Sequence, residues 1–261
     1  MKRVTVNDID TAYAEHGSGD PVIFIHGLAE DHCTWHVQQQ ALDQFHTFAP
    51  DLRGHGSTTS GQGNGTLAQL GIDLLAFIEE VTGPAVVVGF SLGGTIALWA
   101  AAERPDLIKR SVVLGTSSIV GRSAVQFYED RIAKAADTNS AAFKDAMRAD
   151  TAAGLFRAHG LLDQIVATRL AAVGDGVGYI NAARAMMRLS AEPLTPRLSR
   201  VKTPVVVIGA EYDAFCPQKA ASIILDALPA AEFVAIPEAG HLMNADNPAA
   251  VTEALRRAIN H

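Results

Sequence analysis

Apolar residues in this chain come in short runs that do not alternate with polar ones. Val22-Ile23-Phe24-Ile25 sits between Gly19-Asp20-Pro21 and His26-Gly27, and similar runs occupy Ala85 to Val88, Ser111 to Leu114 and Val205 to Gly209. Strand-length runs of this kind, rich in Val and Ile, describe strands covered on both faces, as in a parallel sheet held between two helical layers. Phe45 to Ala49 and Glu232 to Ile236 add two further strands, and Val4 to Val6 with Ile9 to Glu15 read as an opening hairpin across Asn7-Asp8. Helical periodicity fills the intervals. Thr66-Leu67-Ala68-Gln69 has capping-box spacing and opens a helix with Leu67, Leu70, Leu74, Leu75 and Ile78 on one face. Leu92, Ile96, Trp99 and Ala100 predict a second helix with one apolar stripe.

From Ile119 to Pro193 the chain is alanine-rich and helical in period, with no strand. This interrupts the strand–helix alternation and predicts a helical cap over the carboxyl ends of the strands, where open α/β sheets bind ligands. Gly174, Gly176 and Gly178 mark an expected flexible joint within it. The predicted organisation is therefore an α/β core over 1–118 and 194–261, with a cap over 119–193.

At 261 residues the chain is long enough for one such domain with a sizeable core. Its 28 acidic and 21 basic residues give a net charge of −7 without any basic run, which argues against nucleic acid or an anionic membrane surface as a partner. A small molecule is the expected partner. Cys33 and Cys216 are the only cysteines and lack metal-ligand or CxxC spacing, so neither a disulfide nor a metal is expected, and no cofactor. The start of the chain reaches polar residues before an apolar segment forms, so a cytoplasmic location is expected.

The chemistry centres on Gly89-Phe90-Ser91-Leu92-Gly93, which lies between a predicted strand and a predicted helix. That is the context of a nucleophile elbow, where a serine is projected from the sheet on a sharp turn. Serine is a weak nucleophile at neutral pH and needs an imidazole to take its proton. Of nine histidines, His241 has the positional argument: it follows the last strand and precedes the final helix. The carboxylate that would orient it is Asp213, on the loop after the penultimate strand, with Glu211 as its rival. His26-Gly27 ends a buried strand, and the N–H groups of Leu28 and Leu92 are the expected oxyanion donors. His26, Trp35 and Phe90 are the expected pocket side chains. The glycine-rich loop Asp51 to Ser57 reads as structural.

Taken in order, the His26-Gly27 turn, the Asp51-to-Ser57 loop, the Gly89-to-Gly94 elbow, Asp213 and His241 resemble an α/β-hydrolase. The resemblance implies a mostly parallel central sheet with helices on both faces, an inserted lid and cofactor-free hydrolysis through an acyl-enzyme. Within that superfamily the chain is most similar to 3-oxoadipate enol-lactonase-like proteins and small carboxylesterases, through its length, Gly178-Tyr179 and the Pro204-to-Pro217 stretch. The expected activity is hydrolysis of a small carboxylic ester or lactone. The same serine chemistry also serves hydrolysis of a carbon–carbon bond in a diketone-type ring-fission product, or a perhydrolase. A small-molecule receptor with a hydrolase-like site is the non-enzymatic rival. A dicarboxylate substrate would want a basic residue in the pocket, with Arg131, Arg184, Arg188 or any other arginine as a candidate.

Overall fold

In the computed structural model, which describes residues 1–260, the apolar runs become one eight-stranded sheet. Its strands are β1 (Lys2–Val6), β2 (Ile9–His16), β3 (Pro21–Ile25), β4 (His46–Pro50), β5 (Ala85–Phe90), β6 (Ile108–Leu114), β7 (Val205–Ala210) and β8 (Glu232–Ile236). The spatial order is β1-β2-β4-β3-β5-β6-β7-β8. The pairs β1–β2 and β2–β4 are antiparallel, and every other neighbouring pair is parallel. Each predicted strand is present. β6 starts earlier than its apolar run because Lys109 and Arg110, at its open end, broke the pattern.

The helices are α1 (His36–Ala41), α2 (Leu67–Phe77), α3 (Leu92–Glu103), α4 (Arg122–Lys134), α5 (Ala141–Gly154), α6 (Leu162–Val173), α7 (Val177–Arg188), α8 (Gln218–Ala227), α9 (Met243–Asp246) and α10 (Pro248–Asn260). Because side chains alternate across a strand, Ile23, Val87, Val113 and Val207 face one core with Leu70 of α2, Ile96 of α3 and Ile224 of α8. Val22, Val88, Val112 and Val206 face the other, with Leu255 and Ile259 of α10. This double coverage is why the runs are apolar at consecutive positions. α3 goes beyond its predicted stripe: every residue from Leu92 to Ala102 is buried, because α2 and the short turn Thr195–Arg200 also pack on it. No helix among the described residues is long and apolar enough to cross a membrane.

Helices α4 to α7 lie between β6 and β7 and share a small core of Phe143, Met147, Val173, Tyr179 and Ala183, which reaches Ala29 of the main body. Of the three glycines of the expected joint, Gly176 and Gly178 are packed against neighbouring backbone, while Gly174 has open space beside it. Gly178 lies so close to the backbone of Gly54 that a side chain on either would overlap it, and the Gly56 N–H donates to the Ala172 carbonyl at 2.8 Å. The Asp51-to-Ser57 loop thus anchors the cap. Asp51 holds that loop by accepting the N–H of His32 at 2.8 Å and of Ser57 at 2.9 Å.

Two predicted pocket side chains belong to the core. Trp35 is fully buried against Phe24, with ring centroids 5.0 Å apart. His26 is fully buried, its Nε2 accepting the Leu52 N–H at 2.9 Å and its Nδ1 placed to donate to the Gly27 carbonyl at 2.8 Å. A neutral imidazole has one donor and one acceptor, and this ring uses both to join two loops. Burial, with His55 adding to it, pushes the His26 pKa down to about 3. The folded state therefore keeps His26 neutral while the unfolded chain takes up a proton near the ordinary value, so stability falls as pH drops from 6.5 towards about 3. The expected contribution is about 1.4 kcal/mol per pH unit in that window. Denaturant unfolding at several pH values checks this: His26→Gln should be less stable at pH 7 but show a shallower acid slope, and equal slopes would contradict it.

Candidate active site

Ser91 joins β5 to α3 with φ 52° and ψ −117°, a conformation that side-chain-bearing residues adopt only under strain. The reversal presses Gly89 against the backbone of Gly93, and Gly93 against the carbonyls of Ile25 and His26, leaving no room for a Cβ at either position. The backbone is tied down from both sides. Ser91 N–H donates to the Leu114 carbonyl at 2.8 Å, and its own carbonyl accepts from Gly94 and Thr95 at 3.0 and 3.2 Å.

The loops after β7 and β8 bring Asp213 and His241 to this turn. His241 Nε2 lies 3.1 Å from Ser91 Oγ, and its Nδ1 lies 3.0 and 2.9 Å from the two carboxylate oxygens of Asp213. A carboxylate can only accept there, so Nδ1 carries the proton and Nε2 offers its lone pair to the serine. Asp213 is buried; its Oδ1 also accepts the N–H groups of Phe215 at 2.9 Å and Cys216 at 2.7 Å. Burial pushes this carboxyl up, but His241 and the two amides outweigh it and hold its pKa below the usual value. Glu211 is exposed and instead accepts the N–H of Glu238 at 3.0 Å.

Leu28 lies at the cavity wall and its N–H finds no protein acceptor among the described residues. Leu92 opens α3, where first-turn amides lack an intrahelical acceptor. Ser91 and His241 open on a cavity of about 430 Å³, with Phe90, Phe127, Tyr128, Met147, Phe215 and Leu242 among its walls. Phe90 is thus where it was expected, while His26 and Trp35 lie outside the cavity. Arg184 and Arg188 are exposed, and Arg131 is bound to Asp150 at 2.6 and 2.7 Å. The arginine that does face the cavity is Arg169 of α6, and Glu30 joins it there. Neither was visible in sequence: a helical period does not say which face of α6 covers a site, and Glu30 sits in a loop whose pattern gives no side-chain direction. Cys216 also lines the cavity, but burial pushes its thiol well above the ordinary value, so it stays protonated. Asp31, His32 and Cys33 bring metal-type donors together, yet these are engaged internally: Asp31 caps the Cys33 N–H and His32 binds Asp51.

Residues 22–254 match the alpha/beta hydrolase family. The chain belongs to that family. It is 31% identical over 263 residues to BpoC of Mycobacterium tuberculosis H37Rv, provisionally named a non-heme bromoperoxidase, covering 95% of this chain and 96% of that one. It is 24% identical over 258 residues to 3-oxoadipate enol-lactonase 2 of Acinetobacter baylyi, covering 97% and 94%. The fold is shared with the crystal structure of the enol-lactonase from Burkholderia xenovorans LB400, with a TM-score of 0.87, 23% identity and both chains fully covered.

This α/β hydrolase holds its histidine loop with a residue that carried no motif. Asp246, on α9, is buried and accepts four amides: Arg157 at 2.9 Å and Ala158 at 2.8 Å on one oxygen, Phe156 at 2.9 Å and Gly240 at 2.8 Å on the other. Burial opposes the charge, but the amides prevail and keep its pKa below the usual value. Since Gly240 precedes His241 and residues 156–158 lead from α5 to α6, one carboxylate ties the histidine loop to the cap. Asp246→Ala leaves those amides without partners and is expected to cost about 3–5 kcal/mol. Urea unfolding measures this, and a loss below about 1 kcal/mol would show that the clamp is dispensable.

Proposed function

We propose that this protein is a serine-dependent hydrolase of small carboxylic esters or lactones that works through an acyl-enzyme. The observation that carries the reading is the unbroken hydrogen-bonded line from Ser91 Oγ through both nitrogens of His241 to the buried carboxylate of Asp213. His241 removes the Ser91 proton as Oγ attacks the substrate carbonyl, and Asp213 stabilises the imidazolium that forms. The N–H groups of Leu28 and Leu92 hold the oxyanion, each such donor being worth about 10²–10³ in rate. His241 then protonates the departing alkoxide. Water, deprotonated by the same imidazole, attacks the acyl carbonyl, and the acid leaves with Ser91 restored. In this scheme the helices over 119–193 act as a lid that shapes the acyl pocket.

The enol-lactonase relatives support an ester or lactone as the bond cleaved. The likeness to BpoC supports a second reading of the same site, in which hydrogen peroxide replaces water as the acceptor. Peroxide attack on the acyl-enzyme would release a peracid, able to oxidise bromide outside the site without any haem.

Hydrolysis of a chain-length series of p-nitrophenyl esters and a set of lactones tests the reading. Ser91→Ala is expected to lower kcat/KM by about 10⁴–10⁶ with an unchanged circular dichroism spectrum, and Asp213→Asn by about 10⁴. A folded Ser91→Ala protein that keeps most of its turnover rules the mechanism out. Bromide oxidation that requires hydrogen peroxide, a carboxylic acid and Ser91 together would select the peroxide reading.

A further inference from the structure

The buried Arg53 and the half-buried Arg131 are each matched to carboxylates, whereas the cavity arginine, Arg169, is not. Arg53 binds Asp73 through two hydrogen bonds of 2.8 Å and also pairs with Asp8 at 2.7 Å, and Arg131 binds Asp150. Arg169 reaches no carboxylate among the described residues. One end of its guanidinium donates to Thr151 Oγ1 at 3.4 Å, another to the Leu28 carbonyl at 3.3 Å, and its Nε is buried with no partner at all. Both contacts are long and go to neutral oxygens, and the Thr151 hydroxyl already donates to the Met147 carbonyl at 2.7 Å.

The environment makes this costly. Arg169 is half-buried and lines the cavity together with Phe127, Met147, Tyr179 and Leu242, largely apolar walls that offer its buried Nε no acceptor. Two acids share the cavity wall. Asp150 is taken by Arg131, and Glu30 uses one oxygen to accept the Gly27 N–H at 3.1 Å. Burial pushes the Glu30 carboxyl above the ordinary value, against the pull of Arg169, which reduces the negative charge it offers that cation. A guanidinium is a planar fork of donors that cannot give up its proton and fits a carboxylate through paired hydrogen bonds.

We infer that Arg169 is the receptor for a carboxylate carried by the substrate, so that the preferred ester or lactone bears a second, anionic acid group. The inference rests on the reading of this cavity as a hydrolase site. It makes Arg169 a specificity residue, with the substrate's carboxylate completing the hydrogen bonds that the protein leaves open. Its contact with the Leu28 carbonyl sets the anion site beside the turn proposed to hold the oxyanion.

The test compares the mono-p-nitrophenyl ester of glutaric acid with p-nitrophenyl pentanoate, which share a leaving group and acyl length and differ in the terminal carboxylate. Wild type is expected to favour the charged ester in kcat/KM, and Arg169→Gln to reduce the charged-to-neutral ratio by about 10–100-fold. Arg169→Lys should fall between, since it keeps the charge but loses the fork. A ratio that stays within about twofold in Arg169→Gln overturns the inference. So does an equal loss on both esters, which would mean that Arg169 only braces the Leu28 turn. Calorimetric titration of glutarate into Ser91→Ala and into Ser91→Ala/Arg169→Gln gives a readout free of turnover. Saturable binding that requires Arg169 is expected, and equal affinity in both proteins overturns the inference. The two ideas fail separately: Ser91-dependent turnover with no Arg169 effect sinks only the anion site. Arg169-dependent glutarate binding without hydrolysis of any ester sinks only the hydrolase reading.

Discussion

The chain reversal at Ser91 is the constraint on which the rest of the structure turns. It runs from β5, in the middle of the sheet, into α3, the most deeply buried helix, within a single residue of positive φ. Such a bend requires backbone to touch backbone. Gly93 lies against the carbonyls at the end of β3 and Gly89 against Gly93, so neighbouring strand, turn and helix become one rigid block. The strain at Ser91 persists because the bonds to Leu114, Gly94 and Thr95, and the complete burial of α3, over-determine the position. The proposed role of Ser91 would require its hydroxyl to be held to within a fraction of an ångström, and this junction has nothing soft in it.

Around that block the loops are organised by buried carboxylates more than by regular structure. Asp51 gathers the amides of His32 and Ser57, Asp213 those of Phe215 and Cys216, and Asp246 those of four residues drawn from two distant parts of the chain. An ionised carboxylate is a strong multiple acceptor, and a loop amide that cannot join a ladder must find a partner when buried. The pattern solves both needs at once. For Asp213 the facing His241, joined by its two amide partners, outweighs the burial that would otherwise favour the neutral acid.

The legible part of the molecule follows from period and punctuation. The strands were visible because double coverage forces consecutive apolar residues, and the helix over Leu67–Phe77 because its apolar face repeats at helical spacing. Ser91, Asp213 and His241 stood at strand ends in a recognisable order, and the structure brings the three side chains into hydrogen-bond reach. Asp246, Glu30 and Arg169 were silent. Each belongs to a segment whose local pattern is unremarkable, and each acquires meaning only from amides or walls supplied by residues far along the chain. His26 and Trp35 misled for the same reason: proximity in sequence to a predicted oxyanion turn says nothing about which way a side chain points, and both point into the core.

By itself, then, the sequence determined the α/β class, the order of its strands along the chain, the helical insertion between β6 and β7, and the strand-to-helix turn that carries Ser91. These are local properties, set by side-chain period and by backbone conformations that only certain residues tolerate. Tertiary structure alone decided which side chains line the cavity, that Gly178 packs on Gly54 where a loose joint was expected, and that Arg169 faces the cavity without a counter-ion. Those outcomes depend on distances between segments separated by many tens of residues, and on where burial leaves a charge or an amide unmatched, quantities that no local pattern encodes.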